Sequence, residues 1–480
     1  MRRTKIVATI GPASDDPVTL QRMTEAGMDM ARVSLAHGPV EESISRIQRI
    51  RKATAGAGRL VGVLADLPGP KIRAAAFPDG GVYLGVGDDV SLMPAEDGDR
   101  SDAGRIAVDH ATLLADVVAG DRIALGDGGV LMRVEAVDGR AAKARVLSAG
   151  RIEGRPGVNL PPERISITTP TESDLRMLEA VCQAGVDGVA VSFVRDHRDV
   201  RTAKLAAGSD GPMIVAKIET QSAVDDIDRV IAESDGVMVA RGDLGVRCAL
   251  EDVPHYQKQI IRVGVAYGRP VITATQMLES MIHAPTPTRA EVSDVANAVF
   301  DGTSAVMLSA ETAIGRDPVN VIATMARVTE RAELDFDYVG WGSRLGRLQT
   351  AAGLGLSPRQ RITAAISAAA WRASAEADVT AIIACTNSGA TARAISRFRP
   401  TAPILAATPS LKTARQLSAA WGIQALLVDA QSSTDDIVWF AVQAAASEGL
   451  VHPDEVVAVL VGSPIEPEPM TDVLRLVRVH

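Results

Sequence analysis

Met213–Glu219 (MIVAKIE), Ala223–Ala232 (AVDDIDRVIA) and Gly236–Ala240 (GVMVA) follow one another with only short connections. The first and third are short apolar runs with β-branched residues, and the middle one carries a helical period, so the stretch predicts strand, helix, strand. Alternation along the first strand points Lys217 and Glu219 to the same face.

The pattern extends in both directions. Further candidate strands lie at Lys5–Ile10, Met28–Leu35, Leu60–Leu67, Gly188–Phe193, Pro270–Thr275 and Ala305–Ser309, which makes eight in all. Segments of helical period, including Pro17–Ala26, Glu41–Ala53, Glu172–Ala184, Val253–Ala266 and Arg289–Phe300, separate most of them. Eight βα units predict an α/β fold, a closed parallel (β/α)8 TIM barrel. The third and fourth strands are separated by a segment rich in Gly, Asp and Val, read as an inserted β-barrel lid domain over 69–165 between barrel parts 1–68 and 166–335. An insertion at the carboxyl end of a strand sits on the face where barrel enzymes place their sites, so it is positioned to close over a substrate. Beyond Asp335 a Gly-rich stretch, Gly340–Gly355, precedes a second alternating region with strands at Thr380–Thr386, Pro403–Thr408, Ile423–Asp429 and Val456–Gly462, read as a C-terminal α/β domain over 356–480.

Composition narrows the partners. The 480 residues are 46% hydrophobic, enough for a large aliphatic core, and too many for one ordinary domain. A net charge of -9 lacks the basic footprint of a nucleic-acid binder, which leaves small molecules as the expected ligands. Cys182, Cys248 and Cys385 are odd in number and widely spaced, which points to neither a disulfide framework nor a zinc site and suggests a reducing compartment. The apolar run near the N-terminus is short and broken by Gly11-Pro12, and no stretch reaches membrane-spanning length, so a soluble cytoplasmic protein is expected.

Polar residues gather at the carboxyl ends of consecutive strands. The fifth ends in Lys217 and Glu219, the sixth runs into Arg241-Gly242-Asp243, the seventh ends in Thr273-Ala274-Thr275-Gln276, and the eighth in Leu308-Ser309-Ala310-Glu311-Thr312. Glu219 and Asp243 are placed to share one metal, and an all-oxygen site of this kind suits Mg²⁺ or Mn²⁺ rather than zinc. Arg32, Asp66 and Arg73 bring further charge to the same rim, arginine being suited to bidentate phosphate contact. The bland alternative is a buried Lys217–Glu219 ion pair with no chemistry; four polar strand ends at one rim weigh against it.

At these residues the sequence resembles the pyruvate kinases. The resemblance rests on Lys5–Ser14 (KIVATIGPAS), the segments around Lys217/Glu219 and Arg241–Asp243, and ATQMLESM at Ala274–Met281. PTRAEVSDVAN at Pro287–Asn297 and MLSAET after it complete the match. It implies phosphoryl transfer from phosphoenolpyruvate to ADP, giving pyruvate and ATP, the last step of glycolysis. Glu219 and Asp243 would hold the divalent metal, while Lys217 and Arg32 stabilise the phosphoryl group in flight. The substrate carboxylate would meet the N–H groups of Gly242 and Asp243 with the Thr275 hydroxyl nearby, and Thr275, Ser309 and Glu311 would belong to the region that relays a proton to the enolate. On the nucleotide side the matching residues are Arg73, His37, Ser34 and Asp127, with Asn159 in a second lid motif; Pro156 stands where a lysine is common, with Arg155 beside it. The resemblance also implies a homotetramer.

The sequence departs from the family where many members hold K⁺. The matching positions are Ser34, Ala36, Asp66 and Leu67, and Lys71 stands where a nearby Glu is usual. Two ligand side chains are apolar and a fixed ammonium replaces a carboxylate, so activity without K⁺ is expected, with Lys71 and Asp66 in the cation's place. In the C-terminal domain Thr386-Asn387-Ser388-Gly389-Ala390-Thr391 ends a strand before a helix and offers hydroxyls and N–H groups to a phosphate; in the family this loop receives phosphorylated effectors. Gly462–Pro469 lacks basic residues and carries two acids, which disfavours fructose 1,6-bisphosphate and favours a monophosphate such as AMP or a sugar monophosphate. Two other readings stay open: a Mg²⁺-dependent lyase or aldolase that holds a pyruvate enolate, and a catalytically silent sensor of phosphorylated metabolites.

Overall fold

The computed structural model describes residues 2–70, 72–126, 129–160, 168–351, 357–462 and 470–480. Eight strands form a closed parallel barrel: Lys5–Thr9, Met30–Ser34, Gly62–Asp66, Gly188–Val191, Met213–Ile218, Gly236–Ala240, Val271–Ala274 and Ala305–Leu308. The first strand pairs with both the second and the eighth, which closes the circuit. The (β/α)8 expectation therefore holds. Val7, Met30, Leu64, Val215, Met238 and Met307 fill the interior, where unbranched methionines suit an irregular tapering space. The outward-facing side chains pack under a helical ring in a second, larger cluster.

The helices start where the sequence offers caps. Asp16 accepts the N–H groups of Val18 and Thr19 ahead of Pro17–Ala26, and Thr171 and Thr288 form capping boxes with Asp174 and Glu291. One helix differs from its sequence reading: Ala223–Ala232 is two short helices, Gln221–Asp225 and Ile227–Glu233, which meet at Asp226. There the Asp226 carboxylate accepts the His197 backbone N–H at 3.2 Å, a tertiary bond that local periodicity does not encode.

The insertion leaves after the third barrel strand and folds as a six-stranded sheet with a two-stranded ribbon around a core of its own. The C-terminal domain is a five-stranded sheet covered on both faces. Its fifth strand, Val473–Arg478 (VLRLVR), pairs antiparallel along one edge and falls outside the four strands expected from the sequence, because its charges make it a half-exposed edge. In the Gly-rich stretch after Asp335, Gly340, Gly342 and Gly346 lie within a helix, Tyr338–Ala351. A Cβ on Gly342 would collide with the Trp371 indole, so that glycine permits close packing rather than a turn.

The C-terminal domain closes the base of the barrel. Ala419 joins the barrel's interior cluster, Arg3 donates to Pro400 O at 2.8 Å, and Arg399 donates to Gly302 O and Thr303 O at 2.5 and 2.7 Å. At this end buried Asp29 accepts Arg2 at 2.7 Å, Arg59 at 2.8 Å and the Ile6 N–H at 2.8 Å. Burial opposes its charge, yet Arg2, Lys5 and Arg59 hold its carboxyl below the ordinary range, while burial pushes Lys5 down in spite of Asp29. A depressed folded pKa contributes stability that is complete above the unfolded value, about 3.9, and is lost as pH falls through the folded one. Asp29→Asn is expected to cost about 3–5 kcal/mol at pH 7 and to flatten the loss of stability below about pH 4, measured by urea unfolding across pH.

Candidate active site

Met213 and Val215 face the barrel interior, so alternation carries Lys217 and Glu219 inward at its carboxyl end. The Lys217 ammonium lies 2.8 Å from Glu219 Oε1 and 3.3 Å from Asp66 Oδ1, and donates to Ser192 Oγ at 2.6 Å. Arg32 Nε donates to the other Asp66 oxygen at 2.7 Å and its Nη1 to Thr9 Oγ1 at 3.0 Å. Asp66, 2% exposed, thus fixes both cations. Burial works against charge on Lys217, but Asp66, Glu219 and Asp243 outweigh it and hold the ammonium above the ordinary lysine value. For Asp66 burial is likewise outweighed, by Arg32 and Lys217, and the carboxyl sits below its usual range. Burial pushes Glu219 up, with Lys217 opposing and Asp243 assisting.

The next two strand ends are joined by Thr275. Its hydroxyl accepts the Gly242 N–H at 2.8 Å and donates to Ala274 O at 2.6 Å. Thr275 and Gln276 both have positive φ, 69° and 51°, a region that disfavours Cβ-bearing residues. Strict alternation would turn Thr275 away from the side bearing Ile272 and Ala274; the left-handed backbone returns it to Gly242. Arg241 braces this turn, donating to Ala274 O, Thr275 O and the Asp294 carboxylate. Glu311, 2% exposed, accepts the Leu278 N–H at 3.1 Å and the Ser309 N–H at 2.6 Å. The Gly242 N–H expected to meet substrate is therefore donated to Thr275, and the Glu311 oxygens are engaged by backbone.

Glu219 is fully buried, and its Oε2 accepts the Phe193 N–H at 2.8 Å. Its Oε1 lies 2.8 Å from the Lys217 ammonium, so a cation already stands against it. Among the described residues no group of three or more His, Cys, Asp or Glu could hold a metal by itself. Glu219 with Asp243, whose charge acts on it, fits instead a hard cation held by two carboxylates and completed by water and substrate oxygens.

Comparison with known proteins decides the family. A profile for "Pyruvate kinase, barrel domain" matches residues 1–322, and one for "Pyruvate kinase, alpha/beta domain" matches residues 364–477. The chain belongs to the pyruvate kinase family. It is 40% identical to the pyruvate kinase of Methylorubrum extorquens over 476 residues, covering 99% of this chain and 97% of the relative. It is 36% identical to that of Clostridium acetobutylicum over 480 residues, 99% of each. The solved structure of a pyruvate kinase from Cryptosporidium parvum superimposes with a TM-score of 0.90 at 29% identity, covering 100% of this chain and 96% of that one. Pyruvate kinase activity, a phosphotransferase reaction between phosphoenolpyruvate and ADP that yields pyruvate and ATP, follows from family membership, as does a need for a divalent metal.

The remaining expected residues are less concentrated. Ser34 pairs in register with Asp66, and His37 is exposed in the turn that follows. Arg73 lies in the neck of the insertion and donates to Arg155 O at 3.0 Å. Lys71 and Asp127 lie outside the described residues. In the C-terminal loop Thr386 Oγ1 accepts the Gly389 N–H, Asn387 O accepts the Thr413 hydroxyl, and Thr391 shares a buried hydrogen bond with Thr471. Ser388 follows Asn387, exposed in that turn.

The sequence does not single out Ser192 and Phe193, which directly follow the fourth barrel strand, where Val191 pairs with Ala216, beside Lys217. Phe193 has φ 57°, gives its N–H to Glu219 and lies under the Arg247 guanidinium at 4.6 Å. Arg247 in turn donates to Asn159 of the insertion at 3.3 Å, so the insertion and Glu219 are joined through Phe193. Among the described residues no helix is long and apolar enough to cross a membrane. Asp66→Asn is expected to leave two buried cations under-compensated, lowering stability by about 3–5 kcal/mol and turnover together, measured by denaturant unfolding and by pyruvate formation.

Proposed function

We propose that Lys217 and Arg32 carry the phosphoryl group as it passes from phosphoenolpyruvate to ADP, in the cytoplasm. The observation that supports this is the Asp66-centred pair of cations at the barrel mouth, one of them a lysine held charged by surrounding carboxylates. The transition state spreads negative charge over the equatorial oxygens, so fixed positive charge positioned in advance supplies most of the catalysis. Glu219 and Asp243 would hold Mg²⁺, or Mn²⁺, which when bound neutralises substrate oxygens. Arg32 and Lys217 orient the phosphate, and Thr275 and Asp243 orient the substrate carboxylate. Once phosphate leaves, the region of Thr275, Ser309 and Glu311 delivers a proton to the enolate, Glu311 acting by fixing the backbone of Leu278 and Ser309.

Residues 1–68 and 166–335 form the catalytic barrel in this reading, 69–165 the lid, and 356–480 a regulatory domain. The nucleotide lies on the side of Ser34, His37, Arg73 and Asp127. The loop of Thr386, Asn387, Ser388, Gly389 and Thr391 receives a monophosphate effector, AMP or a sugar monophosphate, and the chain assembles as a homotetramer. Activity is independent of K⁺: Ala36 and Leu67 offer no side-chain oxygen, and Lys71 with Asp66 takes the cation's electrostatic place.

Two measurements test the reading. Pyruvate formation from phosphoenolpyruvate and ADP with Mg²⁺ is expected to run at equal rates in K⁺-free buffer and in KCl at matched ionic strength; a requirement for KCl would remove the role given to Lys71. Lys217→Met is expected to keep the fold by circular dichroism and to lower turnover by roughly a thousandfold or more, each tenfold being about 1.4 kcal/mol of barrier. Retained turnover would remove Lys217 from the mechanism.

A further inference from the structure

The amino-terminal face of the barrel, opposite the catalytic mouth, meets the C-terminal domain around a small cavity. Arg269 reaches it from the loop before the seventh barrel strand, and Arg393, Arg397, Arg399 and Trp421 from the C-terminal domain. Four guanidinium groups share this space, and no carboxylate is among its described lining residues.

The carboxylates whose charge reaches these arginines are committed elsewhere. Asp235, which acts on Arg269 and Arg393, is paired with Lys204 at 2.9 Å and accepts the Ile214 N–H. Glu233 is paired with Arg201 at 2.9 Å. Glu333, which acts on Arg399, accepts the backbone N–H groups of Arg3 and Thr4. Burial, with Arg269 adding repulsion, pushes the Arg393 guanidinium down to about 10.

Donors are left over as well. Arg269 Nε and Trp421 Nε1 are buried with no hydrogen-bond partner, and the Arg393 guanidinium makes no hydrogen bond or ion pair among the described residues. Other nitrogens are tethered: Arg269 to Ala232 O at 3.0 Å, Arg397 to Ala266 O at 3.1 Å, and Arg399 to the barrel loop. Buried donors in folded proteins are almost always satisfied, and buried charge is almost always compensated. Spare donors from two domains, converging with excess positive charge and no acceptor, call for an anion with several oxygens spread in three dimensions.

We propose that this cavity between barrel and C-terminal domain binds a phosphate-class oxyanion, either the free ion or the head of a phosphomonoester, on Arg269, Arg393 and Trp421. The cavity adjoins the Thr386–Thr391 loop, since Arg393 Nη1 lies 2.7 Å from where a Cβ on Gly389 would stand, but its lining residues include none from 386–391. Because its donors come from both domains, the bound ion stiffens the joint that closes the barrel's base.

The test is the thermal midpoint of the full-length protein against inorganic phosphate, with chloride at matched ionic strength, for wild type, Arg393→Met and Arg269→Gln. Phosphate is expected to stabilise the wild type beyond chloride, with half-saturation at least tenfold weaker in both variants. Phosphate bound at the catalytic mouth is common to all three proteins and cancels. Methyl phosphate separates the sources, matching phosphate if a monoester head enters and having no effect if only the free ion does. Equal phosphate dependence in the three proteins, or chloride acting as well as phosphate, overturns the proposal. Anomalous density from selenate-soaked wild-type crystals needs no variant: a peak within hydrogen-bonding distance of Arg269 and Trp421 supports the site, and a cavity holding only water refutes it.

Discussion

Lys217 carries an ammonium into a closed barrel where its side chain is only 12% exposed, and the surrounding residues can be understood as the compensation this requires. Removing a charge from water costs several kcal/mol unless opposite charge and hydrogen bonds replace the solvent. Asp66, Glu219 and Ser192 do so from the third, fifth and fourth strand ends. Lys217 faces two carboxylates, so Arg32 on the other Asp66 oxygen brings the cluster to two cations and two carboxylates. The positive charge available for phosphate is thus built into the barrel's stability, and chemistry and folding share the same ions.

Three of the six non-glycine residues with positive φ among the described residues lie beside these charges. Phe193, Thr275 and Gln276 hold left-handed φ values next to Glu219 and Gly242, where ordinary strand geometry would point side chains elsewhere. Conformations of that kind cost of order 1–3 kcal/mol each and persist only where surroundings over-determine them. Here the restraints are the Arg241 contacts to Ala274, Thr275 and Asp294, the Glu311 clamp on Leu278 and Ser309, and the Phe193 N–H on Glu219. The rigid frame holds Glu219 between the Lys217 ammonium and the Phe193 N–H.

The insertion and the C-terminal domain use opposite faces of this frame. Asn159 touches Arg247 at the mouth, on the same side as Phe193, while Ala419 and Arg399 seal the base. The mouth sets Glu219 and Asp66 against Lys217 and Arg32 with Asp243 nearby, and the base carries orphaned donors beside excess cations. The two ends therefore suit ligands of opposite charge, a metal ion at one and an anion at the other.

The eight strands, the β-rich insertion and the separate C-terminal sheet were legible because burial periods of two and 3.6 are local properties of the chain. So was the inward aim of Lys217 and Glu219, which follows from alternation within one strand. Ser192, the hydroxyl that receives Lys217, was not legible: it depends on Val191 standing beside Ala216 across the fourth and fifth strands. Thr275 was legible as a strand-end hydroxyl but not in its direction, which a positive φ reverses. The break at Asp226 and the helical course of the glycines after Asp335 likewise depend on partners distant in sequence, His197 and Trp371. The sequence by itself determined the eight barrel strands, the inward face of Lys217 and Glu219 and which chemical groups reach one rim. Only the tertiary structure decided which oxygen stands against which ammonium, because barrel register and domain docking are set by contacts between residues tens to hundreds of positions apart, where local periodicity carries no information.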